Sequence, residues 1–143
     1  MSKTQTYANH TRIVPPFLAA LLVLMVHAGW SLYDFTSGMT VASARSAVVS
    51  VALVFIAVYA RNFPLRAQDR IIRLEMQLRL RDVLPAELQA RINELTIDQL
   101  VALRFAGDRE LPGLVTRVLA DGLQDRKAIK QLVTDWQADD LRV

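Results

Sequence analysis

The sequence has no cysteine, which excludes disulfide bonds, thiolate nucleophiles and cysteine-ligated metal sites. It also has no glycine-rich phosphate loop, no His-x-x-x-His pair, no Gly-x-Ser-x-Gly motif and no aspartate-rich calcium loop. Two segments have no formal charge, residues 13–33 and residues 46–60, although charged residues make up 22% of the chain. The informative feature is therefore the separation of apolar from charged residues.

The first uncharged segment is long enough to cross a membrane. A bilayer core of about 30 Å needs about 20 apolar residues of helix. Pro15 and Pro16 stand at its start, where a missing N–H group costs nothing because first-turn donors have no helical partner. We predict a first span over residues 16–34, with Trp30 and Tyr33 as anchors in the headgroup region.

The second uncharged segment is shorter, but its start can be extended. Residues 40–44 carry no charge, and the long side chain of Arg45 can reach the interface. We predict a second span over residues 39–60, joined to the first by a turn over residues 35–39. A turn this short makes the two spans antiparallel neighbours.

A cleavable signal peptide is the alternative for the first segment. Lys3 and Arg12 would form its basic region, and residues 26–28 resemble a cleavage site. The apolar run continues past that site to Tyr33, and two prolines precede it, which favours a retained span.

The distribution of Lys and Arg predicts the orientation of the spans. Basic residues lie in the N-terminal tail and after the second span, whereas the connecting loop carries at most Arg45. Both termini are then cytoplasmic by the positive-inside rule. Anionic headgroups attract a nearby basic residue by about 1 kcal/mol, and we predict lipid contacts for Arg61, Arg66, Arg70 and Arg73.

These patterns divide the chain into a tail (residues 1–12), a transmembrane hairpin (13–60), a basic juxtamembrane helix (61–84) and a helical domain (85–143). Pro64 either starts a new helix or kinks the second span.

The juxtamembrane helix has two apolar stripes. One consists of Leu65, Ile72, Met76, Leu80 and Val83, and the other of Ile71, Leu74 and Leu78. Two stripes need two partners. We expect the rest of the domain on one side and a copy of the helix, another subunit or the headgroup layer on the other.

Further helices are predicted by their boundary residues. Pro85 starts a helix that reaches about residue 95. Thr96 and Gln99 form a capping box for the next helix, which Gly107 ends.

Two more helices complete the prediction. One lies over residues 108–122, and Asp125 caps a last helix that carries Trp136. The predicted fold is all-α, a two-helix transmembrane hairpin followed by a small cytoplasmic domain of four or five helices.

His27 is the ionisable residue deepest in the spans. By antiparallel depth it is level with Ser46 and Ser50, so we predict a hydrogen bond from a neutral imidazole to one of these hydroxyls. The functional alternatives are an axial ligand to haem or a chlorophyll-type pigment, or a member of a proton relay. No second histidine or carboxylate lies at that depth, which favours the hydrogen bond.

A second histidine precedes the first span. We predict that Tyr7 lies in the headgroup belt, and that Asn9 and His10 anchor the start of the helix or the adjoining domain. A catalytic histidine would need a partner nucleophile or carboxylate, and no motif supplies one.

The charge balance argues against a nucleic-acid ligand. The net charge is +3, but residues 83–143 carry 8 basic and 10 acidic side chains, so the basic excess is next to the membrane. No metal, cofactor or small-molecule substrate is indicated.

Four sets of residues form a recognisable pattern: Tyr7-Ala-Asn-His10, Gln68-Asp-Arg-Ile-Ile-Arg-Leu-Glu75, Leu100-Val-Ala-Leu-Arg-Phe-Ala106 with Asp108-Arg-Glu-Leu-Pro112, and Ile129-Lys130 with Trp136. Together they resemble a bacterial family of two-span membrane proteins known only as a domain of unknown function. The resemblance implies a bacterial inner-membrane protein with a cytoplasmic helical domain, and it implies no activity.

Together these observations predict a non-enzymatic membrane protein that acts through contacts. Its partners would be the lipid bilayer and either further copies of itself or other subunits of a membrane assembly. The alternatives are a pigment- or haem-carrying subunit that uses His27 and a small oligomeric channel or transporter.

Overall fold

The computed structural model describes residues 6–7 and 14–139. Its helices are α1 (Pro15–Gly38), α2 (Val41–Val83), α3 (Ala86–Gln89), a 3-10 helix (Ile92–Glu94), α4 (Ile97–Leu103), α5 (Leu111–Ala120) and α6 (Arg126–Gln131). Within the described ranges the only extended pairing is a single antiparallel bridge between Ala106 and Trp136. The all-α prediction is therefore confirmed.

The described residues fall into two compact units. Residues 14–65 form the first, the hairpin unit, and residues 66–139 form the second, the C-terminal unit, together with Thr6 and Tyr7. Helix α2 contributes to both units. It continues through Pro64, so the structure has one helix here and not a new one that starts near the proline.

In the hairpin unit the turn is shorter than predicted. Helix α1 runs on to Gly38, so residues 35–38 are helical and only Met39 and Thr40 connect the helices. Met39 takes the left-handed conformation, with φ of 45°. Thr40 then caps α2, because its Oγ1 accepts from the Ser43 N–H at 3.1 Å while Ser43 Oγ accepts from the Thr40 N–H at 3.1 Å.

Small side chains lie between the two helices of the hairpin unit. Ala28 and Ser31 of α1 and Ala47 and Ser50 of α2 are the buried residues of this unit within the described part of the chain. Small residues allow close approach of helix backbones. Many large aliphatic and aromatic side chains of this unit are exposed, among them Leu22, Val26, Phe55 and Ile56.

In the C-terminal unit the large apolar side chains form the core. One face of α2 packs with α4, α5 and α6, and the core residues include Ile72, Met76, Leu80, Leu100, Leu103, Leu111, Val115, Val118 and Ile129.

The predicted helix over residues 85–95 is broken in the structure. Helix α3 has four residues and ends at Gln89, and a 3-10 helix follows it. The Gln89 side chain turns back instead, and its Nε2 donates to the carbonyls of Arg81 and Leu84 at 2.8 Å each. It thereby satisfies carbonyl groups at the end of α2 that have no helical partner.

The local caps of the next helices match the prediction. Thr96 and Gln99 form the capping box at the start of α4, and the Asp125 carboxylate accepts from the Ala128 N–H at 3.0 Å at the start of α6.

The last helix is shorter than predicted, and Trp136 lies outside it. Helix α6 ends at Gln131. The residues that follow it, 132–139, are called the C-terminal segment here, and they pair with the loop after α4. The Gly107 N–H donates to the Asp135 carbonyl at 2.9 Å, and the Gln137 N–H donates to the Phe105 carbonyl at 2.7 Å.

Gly107 has a different role from the predicted helix end. Helix α4 ends earlier, at Leu103, and Gly107 is not among the residues of positive φ. A Cβ atom at position 107 would lie 2.7 Å from Asp135 Cγ, which is closer than any normal contact. A side chain at position 107 would therefore require the Asp135 side chain, whose outer atoms are the nearest, to move aside.

Candidate interaction surface on helix α2

Helix α2 has two opposite apolar faces within the C-terminal unit. Ile72, Met76 and Leu80 are 5%, 3% and 0% exposed and form what we call the inner stripe. Ile71, Leu74 and Leu78 are 56%, 63% and 63% exposed and form the outer stripe. The outer stripe is an apolar surface that no described residue covers.

The outer stripe has the spacing of a helix-pairing surface. Its residues are separated by three and then four positions, which keeps them on one side of the helix. This alternation is the one found at the apolar seam of coiled coils. Scattered exposed leucines need no explanation, but an aligned set on one helix does.

Charged side chains flank the outer stripe on both sides. Arg66, Arg70, Arg73 and Arg81 are exposed, as are Glu75 and Asp82. Three of the four arginines for which we predict headgroup contacts, Arg66, Arg70 and Arg73, thus lie on solvent-accessible parts of the C-terminal unit. The fourth, Arg61, belongs to the hairpin unit and is half-buried.

The next basic residue of α2, Arg79, is directed into the C-terminal unit. Its guanidinium donates to Asp108 Oδ1 at 2.7 Å, to the carbonyls of Arg104 at 3.2 Å and Ala106 at 2.7 Å, and to Gln137 Oε1 at 2.8 Å. A guanidinium is suited to this task because it presents five donors in a fixed plane. Arg79 therefore ties α2 to the loop after α4 and to the C-terminal segment.

A second arginine fixes the other end of the inner face. Arg126 Nη2 donates to Asp69 Oδ2 of α2 at 3.0 Å, and Arg126 Nε donates to Asp98 Oδ1 of α4 at 2.7 Å. Burial lowers the pKa of Arg126, but the hydrogen bonds that it donates to both carboxylates, together with their negative charge, raise the pKa above its usual value. The orientation of α2 against α4 and α6 is thereby set, and with it the outward direction of the outer stripe.

The Glu110 carboxylate holds the C-terminal segment. Its Oε2 accepts from the Thr134 N–H at 3.0 Å and from the Thr134 hydroxyl at 2.6 Å, and its Oε1 accepts from the N–H groups of Asp135 at 3.1 Å and Gly107 at 3.3 Å. Partial burial raises the pKa of Glu110, but these hydrogen bonds to the charged form outweigh it, so the pKa lies below its ordinary value.

Tyr7 lies in the C-terminal unit. Its ring meets the Trp136 ring edge-on at 6.3 Å between centroids, and its hydroxyl accepts from Gln131 Nε2 at 3.2 Å. Trp136 in turn stacks on Phe105 at 4.5 Å. Tyr7 thus has protein partners, and its position in the headgroup belt stays a prediction. Asn9 and His10 lie outside the described residues.

His27 differs from its prediction. Its side chain is exposed, and no described residue forms a hydrogen bond with it. The two serines predicted as its partners have other ones. The hydroxyls of Ser46 and Ser31 are hydrogen-bonded to each other at 3.2 Å, and the Ser50 hydroxyl donates to the Ala47 carbonyl at 2.9 Å.

The packing of α1 explains the difference. Its contact face centres on Ala28 and Ser31, whereas Ala20 and His27 are exposed. On α2 the contact face contains Ala47 and Ser50.

The two predicted aromatic anchors of α1 face outward. Trp30 is 67% exposed and Tyr33 66% exposed, and their rings lie 6.4 Å apart. His27 lies one turn before Trp30, in a shallow apolar depression that Leu22, Val23 and Val26 complete.

No metal centre is formed within residues 6–7 and 14–139, where no three His, Asp or Glu residues stand together as ligands. The groove beside the start of α4 has charges of both signs, from Arg66, Asp69, Arg70, Asp98 and Arg126.

Sequence reasoning missed the roles of Arg79, Glu110 and Gln99. Gln99, beyond its part in the capping box, donates from Nε2 to the Leu123 carbonyl at 2.8 Å. All three bridge positions more than 20 residues apart, and periodicity gives no signal for such pairs.

The fold and the surface define an all-α protein with two helices, α1 and α2, that are long and apolar enough to cross a membrane. The chain belongs to a family of unknown function, DUF6526, whose model matches residues 1–143. No curated protein and no solved structure shows a significant match to it.

Proposed function

We propose that this protein is a non-enzymatic integral membrane protein that acts through protein contacts made by the outer stripe of α2. The observation that carries the proposal is the exposure of Ile71, Leu74 and Leu78 opposite an inner stripe that already fills the core. Burial of such side chains is favourable by about 1.5–3 kcal/mol each. A surface of this kind on a rigid helix is suited to binding.

The exposed apolar residues of the hairpin unit support membrane insertion. Only 11% of the most apolar 18-residue stretch of each long helix is buried. The helix of a soluble core would bury most of these side chains, whereas lipid accepts them at no cost. At about 1.5 Å per residue, α1 is about 36 Å long and exceeds the bilayer core of about 30 Å.

The orientation we propose places both termini in the bacterial cytoplasm, with only the turn at Met39 and Thr40 outside. It rests on the basic residues that follow the second span. In this orientation Arg61, Arg66 and Arg73 lie near the inner leaflet, where they can contact anionic headgroups.

The test of the proposed contact surface is its protection in native membranes. The chain has no cysteine, so Leu78→Cys and Glu87→Cys each introduce a single thiol at an exposed position. We expect a maleimide to label Leu78→Cys more slowly than Glu87→Cys in membranes, and equally after denaturation. Equal labelling in membranes would contradict the proposal.

A second candidate function follows from the exposed imidazole of His27. His27, which has no hydrogen-bond partner among the described residues, lies beside Trp30 on an outward helix face, where its imidazole could bind the metal of a haem or pigment. The absorption spectrum of the protein purified from its native membrane tests this function. A colourless preparation, or colour that His27→Ala leaves unchanged, would exclude it.

A further inference from the structure

We infer that the partner of the outer stripe is a second copy of this chain, paired in parallel along α2 in a two-stranded coiled coil. The inference rests on the proposed function and names its partner. It is carried by the arrangement of side chains around the outer stripe.

The heptad positions follow from the exposed face. With Ile71 and Leu78 at a and Leu74 at d, the preceding d position is Ala67 and the following one is Arg81. The seam thus extends over two heptads and ends at a charged residue. The inner stripe takes the opposite positions b, c and f, so the C-terminal unit leaves the seam open.

The choice of apolar residues favours two strands. A β-branched residue at a, with leucine at d, directs parallel coiled coils to dimers, and Ile71 with Leu74 forms such a layer pair. Leucine at a with isoleucine at d would favour higher oligomers. This layer pair therefore has the composition of a dimer, whereas the second a position, Leu78, is not β-branched.

The flanking charges select the parallel orientation. Position g before Ile71 is Arg70, and position e after Leu74 is Glu75, and both side chains are exposed. In a parallel pair each g residue faces the e residue five positions later in the partner. Arg70 of each copy therefore lies next to Glu75 of the other copy, which gives two equivalent ion pairs.

An antiparallel pair has no such complementarity. There e positions meet e positions, so Glu75 would face Gln68, Glu75 or Asp82 of the second copy, none of them basic. Two copies inserted in one membrane with the same topology also present α2 in the same direction. Charge pattern and membrane orientation thus agree on one arrangement.

The pairing divides the arginines between two tasks. Arg70 forms the ion pair with the second copy, whereas Arg66 and Arg73, at positions c, stay outside the seam and remain available to headgroups. Arg70, which the sequence also assigns to lipid, is therefore the residue at which the two roles can be separated by experiment.

Disulfide formation in native membranes tests the inference with the full-length chain. The variants Ile71→Cys, Leu74→Cys and Leu78→Cys place one thiol on the seam, and Arg73→Cys places one on the same helix off the seam. Under mild oxidation we expect all three seam variants to form dimers several-fold more efficiently than Arg73→Cys. Each seam residue meets its own copy only in a parallel, in-register pair.

A charge exchange in the Leu74→Cys background tests the orientation independently. Arg70→Glu or Glu75→Arg alone makes the facing charges alike and lowers dimer yield several-fold, and the double variant restores it. A dimer yield that neither single charge change lowers would contradict the ion pair. Crosslinking of Leu74→Cys without Ile71→Cys and Leu78→Cys would indicate an antiparallel pair and would also overturn the inference.

Failure of the inference is distinguishable from failure of the proposed function. If no seam variant crosslinks but Leu78→Cys is still protected from maleimide, another subunit or the headgroup layer covers the outer stripe and only the second copy is excluded. If the seam neither crosslinks nor is protected, the contact function fails with it.

Discussion

The hairpin unit and the C-terminal unit use the same apolar residue types in opposite ways. In the hairpin unit the buried residues are alanines and serines, while Leu22, Val23 and Val26 face outward. In the C-terminal unit the leucines, isoleucines and valines are inside and the charges outside. One unit exposes its large apolar side chains and the other buries them, and the outer stripe of α2 is the exception within the second.

The largest effect that this comparison predicts is in the core of the C-terminal unit. Leu100→Ala removes a fully buried side chain, so we expect a loss of about 2–5 kcal/mol in the free energy of unfolding. Leu74→Ala, on the outer stripe, changes the stability of the solubilised monomer by less than about 0.5 kcal/mol. Urea titration in mild detergent, monitored by Trp136 fluorescence in a Trp30→Phe background, measures both.

Equal destabilisation by the two alanine variants would contradict the separation of inner and outer stripes. It would mean that Leu74 is packed within its own chain.

The next effect concerns the space at Gly107. We expect Gly107→Ala to destabilise the C-terminal unit by about 1–3 kcal/mol, because the added Cβ meets the Asp135 side chain. Gly113→Ala is the matched control, since a Cβ there meets nothing within 4 Å and lies inside helix α5. This control should gain about 0.5–1 kcal/mol. A neutral Gly107→Ala would show that the Asp135 side chain moves aside without cost.

Glu110 makes the stability of the C-terminal unit depend on pH. Its folded-state pKa lies below the ordinary value of 4.5. The contribution of Glu110 to the free energy of unfolding is therefore fully present above that value, and it is lost as pH falls through the lower folded-state pKa. We expect Glu110→Gln to cost about 1–3 kcal/mol at neutral pH, and the difference from the original chain to shrink below pH 4.5.

Unfolding curves of the two proteins from pH 7 to pH 3 check this expectation. A difference that stays constant over that range would exclude the charged carboxylate as the cause.

The smallest effect is in the turn of the hairpin unit. Met39 has φ of 45°, a conformation that costs a side-chain-bearing residue about 1–2 kcal/mol and glycine almost nothing. We expect Met39→Gly to raise the thermal stability of the hairpin in detergent slightly, after the greater chain entropy of glycine is subtracted. Gly38→Ala, in the last turn of α1, is the paired variant. A clear loss of stability in Met39→Gly would contradict the turn geometry.

The features of the C-terminal unit that could be predicted from the sequence depend on residues close together in the chain. The capping box at Thr96 and the cap at Asp125 depend on residues three positions apart, and the two stripes of α2 follow from the helical period. Both were found as predicted. They needed no knowledge of distant residues.

Long-range partners could not be predicted from the same patterns. Trp136 continues the apolar period of α6, so the sequence places it in that helix. In the structure α6 ends at Gln131, and Trp136 forms a bridge with Ala106 instead. Gly107 was expected to end a helix, and its actual role depends on Asp135, 28 positions away. At His27 the prediction chose the wrong side of α1 as the side that packs on α2. Apolar residues surround α1, so hydropathy does not indicate which side that is.

The topology of the hairpin unit is the most direct test of the account. Met39→Cys places a single thiol in the proposed external turn, and Glu87→Cys places one in the C-terminal unit. In intact spheroplasts we predict that a membrane-impermeant maleimide labels Met39→Cys at once and labels Glu87→Cys only after the membrane is disrupted. Immediate labelling of Glu87→Cys, or release of the chain from membranes without detergent, would contradict the account.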